Sequence, residues 1–271
     1  MVPISDDDFR PYTVETPPSS APGSDVPTFD IPLNEPILER IDELTMSSWI
    51  RAFARDPVNA WEERIKPRSN AAASERIIAA SLGQFKPASI LLHGPHAWCG
   101  FVPRDCGRGQ ASLYYIGERH ETNVFVDTFK ELNFKNSDEL AGLLHFLSGF
   151  HESSRLMSGA FYSAITEAEI ITQEVVDEEF YGCNLKRDWN PCVAIYVSAG
   201  GDPLLVNRSG KVAWWEYGGP DIILDFCSSI EELAKRLAFY WQEAAVKYSA
   251  HQDTPSFDPY TSEESWPYQR S

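Results

Sequence analysis

The sequence predicts an α+β fold, in which a mixed or antiparallel sheet packs against flanking helices and both termini are disordered tails. Short runs rich in β-branched and aromatic residues follow one another in groups, and helical patterns stand before and after these groups. A doubly wound fold would place a helix between successive strands, so this order favours an α+β layer arrangement. A long, strongly periodic helical pattern near the C-terminus supports the same interpretation.

Two helices are predicted in the first third of the chain. The first begins at Pro36, a residue that suits the first helical turn. The residues that then recur at helical spacing are Leu38, Ile41, Thr45, Trp49 and Ala52. The second helix spans 74–82 and ends at Gly83.

Two further helices carry start signals. Asn136 is placed to cap the third, with Glu139 at the capping-box position and a leucine stripe over 140–147. Ser228 and Glu231 form a potential capping box for the last helix. The apolar face of that helix consists of Ile230, Leu233, Leu237, Trp241, Ala244 and Tyr248.

Strands are predicted where β-forming residues lie between turn signals. The predicted strands are 89–93, 98–102, 112–116, 123–126, 193–197, 204–207, 212–217 and 222–226. The tight connection 207–210 (Asn-Arg-Ser-Gly) predicts a hairpin between two of them.

The chain divides by composition into four segments. Residues 1–35 hold seven prolines and seven acidic residues against one base, which predicts a disordered acidic tail. Residues 36–130 hold the first helices and a strand-rich segment of unknown type, and 131–250 form the principal domain. Residues 251–271 are interpreted as a flexible tail.

Charge and cysteine content restrict the function classes. The 271 residues carry a net charge of -17, which disfavours nucleic acid and membrane surfaces and favours a basic protein as partner. Five scattered cysteines and an acidic N-terminus without a signal-peptide pattern predict reduced thiols and a cytoplasmic protein.

Three segments resemble the SUKH superfamily, the Smi/Knr-like proteins. LLHFLSGF (143–150), with FYSAITEAEI (161–170) after it, resembles the family's helix, aromatic-glycine loop and short strand. AGGDPLLVNRSGKVAWWEY (199–217) resembles its Gly-Gly-Asp turn and hairpin, and CSSIEELAKRL (227–237) its terminal helix. The likeness spans about 131–242. The region 88–127 has no counterpart in it, and Asn136-Ser137 replaces the usual Leu-Pro.

The resemblance implies a binding fold rather than an enzyme. Family members are non-enzymatic recognition domains, which include bacterial immunity proteins that neutralise toxins and fungal or viral regulators. Toxin immunity is therefore the first expectation. A signalling or cell-wall-type regulatory scaffold in a eukaryote or virus is the alternative, because long disordered tails suit docking to several partners.

No pattern predicts catalysis, a metal or a cofactor. The best metal candidates are His93, His96, Cys99 and Cys106, but their spacing fits no standard zinc motif, so a surface turn is the interpretation. The loop His151–Ser154 matches neither a nucleophile elbow nor a zincin, and Gly200-Gly201-Asp202 precedes a strand instead of a phosphate-binding helix. An enzyme of unrecognised class would use the region of His93, His96 and His120.

Partner binding is predicted at acidic and aromatic residues of the principal domain. Glu178 and Glu179 belong to an acidic run, beside which Tyr181 is a candidate aromatic anchor. Asp202 in the Gly-Gly-Asp turn, Trp215 and Glu216 complete the predicted set. Trp214 and Trp215 should lie on opposite faces of their strand, so one needs a cover: a helix, which is favoured, the C-terminal tail or a partner.

Overall fold

The structure is a computed structural model. It describes residues 28–93, 96–107, 112–119, 122–152, 160–161, 170–174, 176, 185, 187–197, 202–215 and 223–250. The tail predictions for 1–27 and 251–271 lie outside these residues.

The predicted α+β class is confirmed. The strands are β1 (Thr28–Pro32), β2 (Phe85–His93), β3 (His96–Pro103), β4 (Tyr114–Ile116), β5 (His151–Glu152), β6 (Ala160–Phe161), β7 (Ile170–Ile171), β8 (Cys192–Val197), β9 (Pro203–Asn207), β10 (Val212–Trp215) and β11 (Ile223–Cys227). The α-helices are α1 (Ile41–Leu44), α2 (Ser48–Arg55), α3 (Pro57–Ile65), α4 (Ala73–Leu82), α5 (Thr122–Glu131), α6 (Ser137–Leu147) and α7 (Ile230–Ser249). Short 3-10 helices lie at Pro36–Arg40 and Arg187–Trp189.

All described strands belong to one sheet, with the order β1-β2-β3-β4-β5-β6-β8-β9-β10-β11 and with β7 also paired to β8. Every pairing between them is antiparallel. Two four-strand units, β1–β4 and β8–β11, are therefore joined through β5 and β6, each only two residues long. The narrow junction leaves most of the connection between the units to side-chain packing.

The main core lies between one face of this sheet and the helices. Its residues come from α2–α7 and from strands of both units, including Phe53, Trp61, Phe101, Tyr114, Phe150, Trp214 and Trp241. The two units therefore share a core as well as a sheet. The strand-rich region 88–127, which the resemblance leaves unassigned, supplies β2, β3 and β4 to that sheet, so the 130/131 division falls inside one packed structure.

One correction concerns the N-terminal segment. Residues 28–32, predicted to be part of the disordered tail, form edge strand β1, whose partner is β2. Ile31 is buried against Ile41, Ile50 and Ile90 in a smaller apolar cluster. Burial of Ile31 in this cluster stabilises the strand despite the prolines around it.

The first predicted helix is divided in the structure. A 3-10 helix at Pro36–Arg40 leads into α1, and α2 starts only after Thr45–Ser47. The side chain of Ser47 accepts a hydrogen bond from the backbone of Ile50 and caps α2. Helix α3 was not predicted, although Asp56 as cap and Pro57 as first residue are a recognisable start signal.

Two local predictions around α5 and α6 are wrong. Residues 123–126 were predicted as a strand but lie in α5, which packs along α6 and buries Phe129. Tertiary packing overrides the β-preference of that short run. Asn136 precedes α6 in a left-handed conformation (φ 58°) and makes no side-chain cap, because capping requires an extended backbone at that position.

The C-terminal elements follow the prediction closely. The 207–210 connection joins β9 to β10 as a hairpin, in which Asn207 Oδ1 accepts hydrogen bonds from the backbone of Ser209 and Lys211. Helix α7 is capped one residue later than predicted: the Ser229 hydroxyl accepts from the backbone N–H of Glu232, whose carboxylate accepts from the backbone N–H of Ser228 rather than from that of the cap residue.

A partly buried ion pair lies between the start of α4 and the middle of α6. Glu75 is fully buried, and its Oε2 lies 2.7 Å from Nη2 of Arg68. Gly142 makes room for the pair, since a Cβ there would lie 2.7 Å from Arg68 Nη2 and 2.9 Å from Glu75 Oε2. The glycine in mid-helix is thus explained by close packing.

We expect Gly142→Ala to destabilise the protein by about 1–3 kcal/mol, because displacing Arg68 leaves a buried carboxylate with fewer partners. In an ordinary helix interior the same change stabilises by roughly 0.5–1 kcal/mol. Urea unfolding measures the difference. Gly107→Ala, where a Cβ would meet nothing within 4 Å, is the control, and a stabilised Gly142→Ala variant would contradict the explanation.

Candidate functional site

The second face of the β8–β11 unit carries its own apolar cluster. Along β8, β9 and β10, alternate residues point away from the main core and pack together: Cys192, Ala194, Leu205, Ala213 and Trp215. Trp214 belongs to the main core instead. The two tryptophans therefore lie on opposite faces, as predicted from strand alternation. We call this second face, with Val176 and Trp189 that pack on it, the Trp215 cluster.

The cover of Trp215 is largely helical, as favoured from the sequence: Val176 lies in a short helical segment and Trp189 in the 3-10 helix at Arg187–Trp189. Val176 and Trp189, with the partly buried Ile171 and Leu185, close over the face. Trp215 is only 5% exposed, so in this structure it presents no open surface to a partner, contrary to its place in the predicted binding set. Its large apolar ring instead packs in one cluster with Val176 and Trp189.

Most of the acidic run lies, in the sequence, between two of the residues that cover Trp215, namely Val176 and Leu185. Val176 is fully buried in the Trp215 cluster, and Leu185 packs against the same cluster. The backbone N–H of Leu185 donates to Gln173 Oε1 over 2.7 Å, and the backbone N–H of Gln173 donates to Asn190 Oδ1 over 3.3 Å. Val176 and Leu185, which flank 177–184 in the sequence, are therefore both held on this face of the sheet.

Among the predicted partner-binding residues, Asp202 and Trp215 are described and both lie in the β8–β11 unit. Asp202 immediately precedes β9 and is half-buried. Glu178, Glu179, Tyr181 and Glu216 lie outside the described residues. The first three follow Val176 and precede Leu185 in the chain, and Glu216 follows Trp215 directly.

A second polar site, which was not predicted, lies on the outer face of the β1–β4 unit. Ser89 on β2 is paired in register with Gly100 on β3, which is paired with Tyr115 on β4. The Tyr115 hydroxyl donates to Asp30 Oδ2 over 2.8 Å, and the hydroxyls of Ser89 and Ser112 are 2.7 Å apart. A Cβ at position 100 would collide with both serine hydroxyls, so glycine creates the space for this polar network.

Burial controls the electrostatics of this network. Desolvation raises the pKa of Asp30 above its ordinary value, and the hydroxyl groups of Ser89 and Tyr115 oppose that shift. Burial also raises the pKa of Tyr115 well above its ordinary range, and the neighbouring Asp30 raises it further. The phenol therefore stays protonated and acts as a donor that holds edge strand β1 against the sheet.

The histidines and cysteines do not form a metal site in the part of the chain that the structure describes, where no three potential ligands are grouped. His93 and His96 are paired across the β2–β3 hairpin, and the His96 ring is exposed, 5.9 Å from the ring of Trp98. Cys99 is fully buried. His120 and Cys183 lie outside the described residues.

The described cysteines, Cys99, Cys106, Cys192 and Cys227, are free and buried. Desolvation raises the pKa of Cys192 to about 12 and that of Cys227 to about 12, and it raises the pKa of Cys99 as well. Thiols in such surroundings remain protonated near neutral pH and are poor nucleophiles.

Comparisons of the chain with protein-family models, with curated proteins and with solved structures found no match. Of the helices in the described ranges, none has both the length and the apolar character that crossing a bilayer requires.

We expect Asp30→Asn to change how stability depends on pH. Because the folded protein raises the pKa of Asp30, the carboxyl favours the folded state below its unfolded pKa, and this contribution is lost as pH rises through the folded pKa. As the pH is lowered from about 7 to about 4, the free energy of unfolding of the wild type should therefore increase relative to that of Asp30→Asn.

Urea unfolding over a pH series measures this dependence. Asp127→Asn, at an exposed position of α5, controls for the general loss of a carboxylate. A wild-type to Asp30→Asn difference that stays constant with pH would show that the buried carboxyl has no raised pKa.

Proposed function

We propose that this chain is a non-enzymatic protein-recognition domain that neutralises or regulates a basic protein, with toxin immunity as the leading case. One observation carries the proposal: Val176 and Leu185 are both packed on the Trp215 cluster. In the sequence, these two residues flank a stretch that contains Asp177, Glu178, Glu179 and Tyr181. Two anchored flanking residues suit partner recognition by the acidic and aromatic residues between them, since less conformational entropy is lost on binding.

Charge supports a basic partner. The described residues contain 23 acidic and 18 basic side chains, against 40 and 23 in the whole chain. Most of the net charge of -17 therefore belongs to other parts of the sequence, among them the stretch 177–184. Concentrated negative charge accelerates encounter with a cationic surface such as the substrate groove of a nuclease.

The resemblance to the SUKH superfamily gives the proposal its biological form. The segments that carry the resemblance are occupied by α6, by the β9–β10 hairpin and by α7, which follows the last strand directly. A recognition role in the cytoplasm is consistent with free, buried cysteines.

A regulatory scaffold is the second candidate. It is favoured by the composition of residues 1–27, which hold six prolines and five acids with one base, a composition that suits several docking interactions. The neighbouring genes separate the two candidates, because an adjacent toxin gene is expected only for an immunity protein.

The direct test is titration of the full chain against a panel of basic toxin nuclease domains by calorimetry, at low and at high salt. We expect binding to at least one domain, with an affinity that falls as salt rises. The double variant Glu178→Lys/Glu179→Lys should bind at least ~10-fold more weakly, and Tyr181→Ala should show a loss of similar size.

Glu62→Lys/Glu131→Lys is the matched control, since it changes the charge equally at exposed positions of α3 and α5. It should weaken binding by less than about 3-fold, through long-range charge alone. Absence of binding at low salt across the panel, or equal losses in the two double variants, would contradict the proposal.

A further inference from the structure

Three arginine side chains gather around the C-terminal half of α6. Arg68 contacts Glu75 beside Gly142. One turn further along, Arg64 donates from Nη2 to the carbonyl of Phe146 over 3.0 Å. The guanidinium carbon of Arg119 lies 4.4 Å from the centre of the Phe146 ring. Arg64 and Arg119 therefore approach the same residue of α6, one at its carbonyl and the other at its ring.

The buried carboxylate in this cluster, Glu75, already accepts hydrogen bonds from Arg68. Glu75 Oε1 accepts from the backbone N–H of Arg68 over 2.7 Å, and Oε2 accepts from Arg68 Nε over 2.8 Å. Among the described residues, no carboxylate lies within ion-pair distance of Arg64 or Arg119. The attraction that carboxylates exert on the other two arginines is therefore of longer range: Glu118 acts on Arg64, and Glu75 and Glu63 act on Arg119.

Two buried guanidinium nitrogen atoms, one in Arg64 and one in Arg119, have no hydrogen-bond partner. Arg64 is 5% exposed, and its Nη1 is buried without a hydrogen bond, although Nε donates to the carbonyl of Gly117 over 3.2 Å. Arg119 uses Nη2 to donate to the carbonyl of Lys66 over 2.9 Å, while its Nε is buried and unpaired. Buried donors are almost always satisfied, by the protein, by water or by an ion.

The electrostatic strain in the cluster agrees with this geometry. Burial and, to a smaller extent, the neighbouring charge of Arg119 lower the pKa of Arg64 to about 9, although Glu118 opposes this shift. Burial also lowers the pKa of Arg119, to about 10, against the opposing effect of Glu75 and Glu63. An anion placed between the two guanidinium groups would raise both pKa values again, because it neutralises their charge and accepts hydrogen bonds from the unpaired N–H groups.

We propose that Arg64 and Arg119 form a binding site for a small oxyanion, which accepts hydrogen bonds from Arg64 Nη1 and Arg119 Nε. A guanidinium group favours oxyanions because its N–H groups match the spacing of carboxylate and phosphate oxygens. Arg119 is the partly exposed member of the pair, so the anion reaches the site from its side. This site lies on the helix side of the β1–β4 unit and is independent of the partner surface proposed above.

The experiment compares thermal unfolding of the full chain in phosphate, sulfate, acetate and chloride at equal ionic strength, with calorimetry of phosphate binding. We expect at least one oxyanion to raise Tm by about 2 °C or more above chloride. A response to phosphate or sulfate indicates an inorganic ligand, whereas a response to acetate alone indicates a carboxylate.

Arg119→Gln should abolish this oxyanion-specific rise and weaken phosphate or acetate binding by roughly 10-fold or more. Arg119→Lys retains the charge but lacks the Nε–H group, so it should lose most of the affinity as well. Arg208→Gln, an exposed site at the β9–β10 hairpin, removes the same charge and should keep the full response.

Arg64 variants lose the bonds to Gly117 and Phe146 as well, so the Arg119 variants carry the test, and each is compared with its own chloride baseline. An equal rise of Tm in chloride and in all three oxyanions would overturn the proposal. An Arg119→Gln variant that keeps the wild-type response would overturn it too.

Discussion

A chain of aromatic contacts holds the two halves of the sheet together. The rings of Tyr114 and Phe150 lie 5.3 Å apart, those of Phe150 and Phe161 6.0 Å, those of Phe161 and Tyr196 4.9 Å, and those of Tyr196 and Trp214 5.6 Å. The chain crosses from β4 to β10 at the point where the backbone connection is narrowest. Aromatic packing of this kind buries a large apolar area at a small number of positions, so the common core depends on it.

The arrangement determines which surface remains for function. Helices occupy the inner face of the sheet, where Trp214 is buried. On the outer face of the β8–β11 unit, Val176, Leu185 and Trp189 cover the cluster that contains Trp215. In the sequence, Val176 and Leu185 flank the stretch proposed to touch a partner, so Trp215, itself predicted to touch a partner, instead belongs to the cluster on which these two flanking residues pack. The outer face of the β1–β4 unit carries a buried polar network, in which the Tyr115 hydroxyl donates a hydrogen bond to Asp30.

The sequence predicted those elements whose local pattern and tertiary environment agree. Helix α7 and the β9–β10 hairpin are examples, because periodicity, caps and turn residues all indicate the same structure. The run 123–126 shows the opposite case, since its β-forming residues lie in a helix that packs on α6.

The polar sites were not predictable, because Asp30, Arg64 and Arg119 come from distant segments that only the fold brings near their partners. The signals that exist are local, such as the alternation of Asp30 with Phe29 and Ile31 in β1.

The dependence of both sheet units on the aromatic chain is tested most directly by hydrogen exchange of Phe150→Leu. Phe150 is 2% exposed. The centre of its ring lies 5.1 Å from that of Trp241, in addition to its contacts within the aromatic chain. We expect the variant to lose about 1–2 kcal/mol of stability. The amides of β2–β3 and of β8–β10 should lose protection by a similar factor. Loss confined to one unit would show that the halves unfold separately and would contradict a common core.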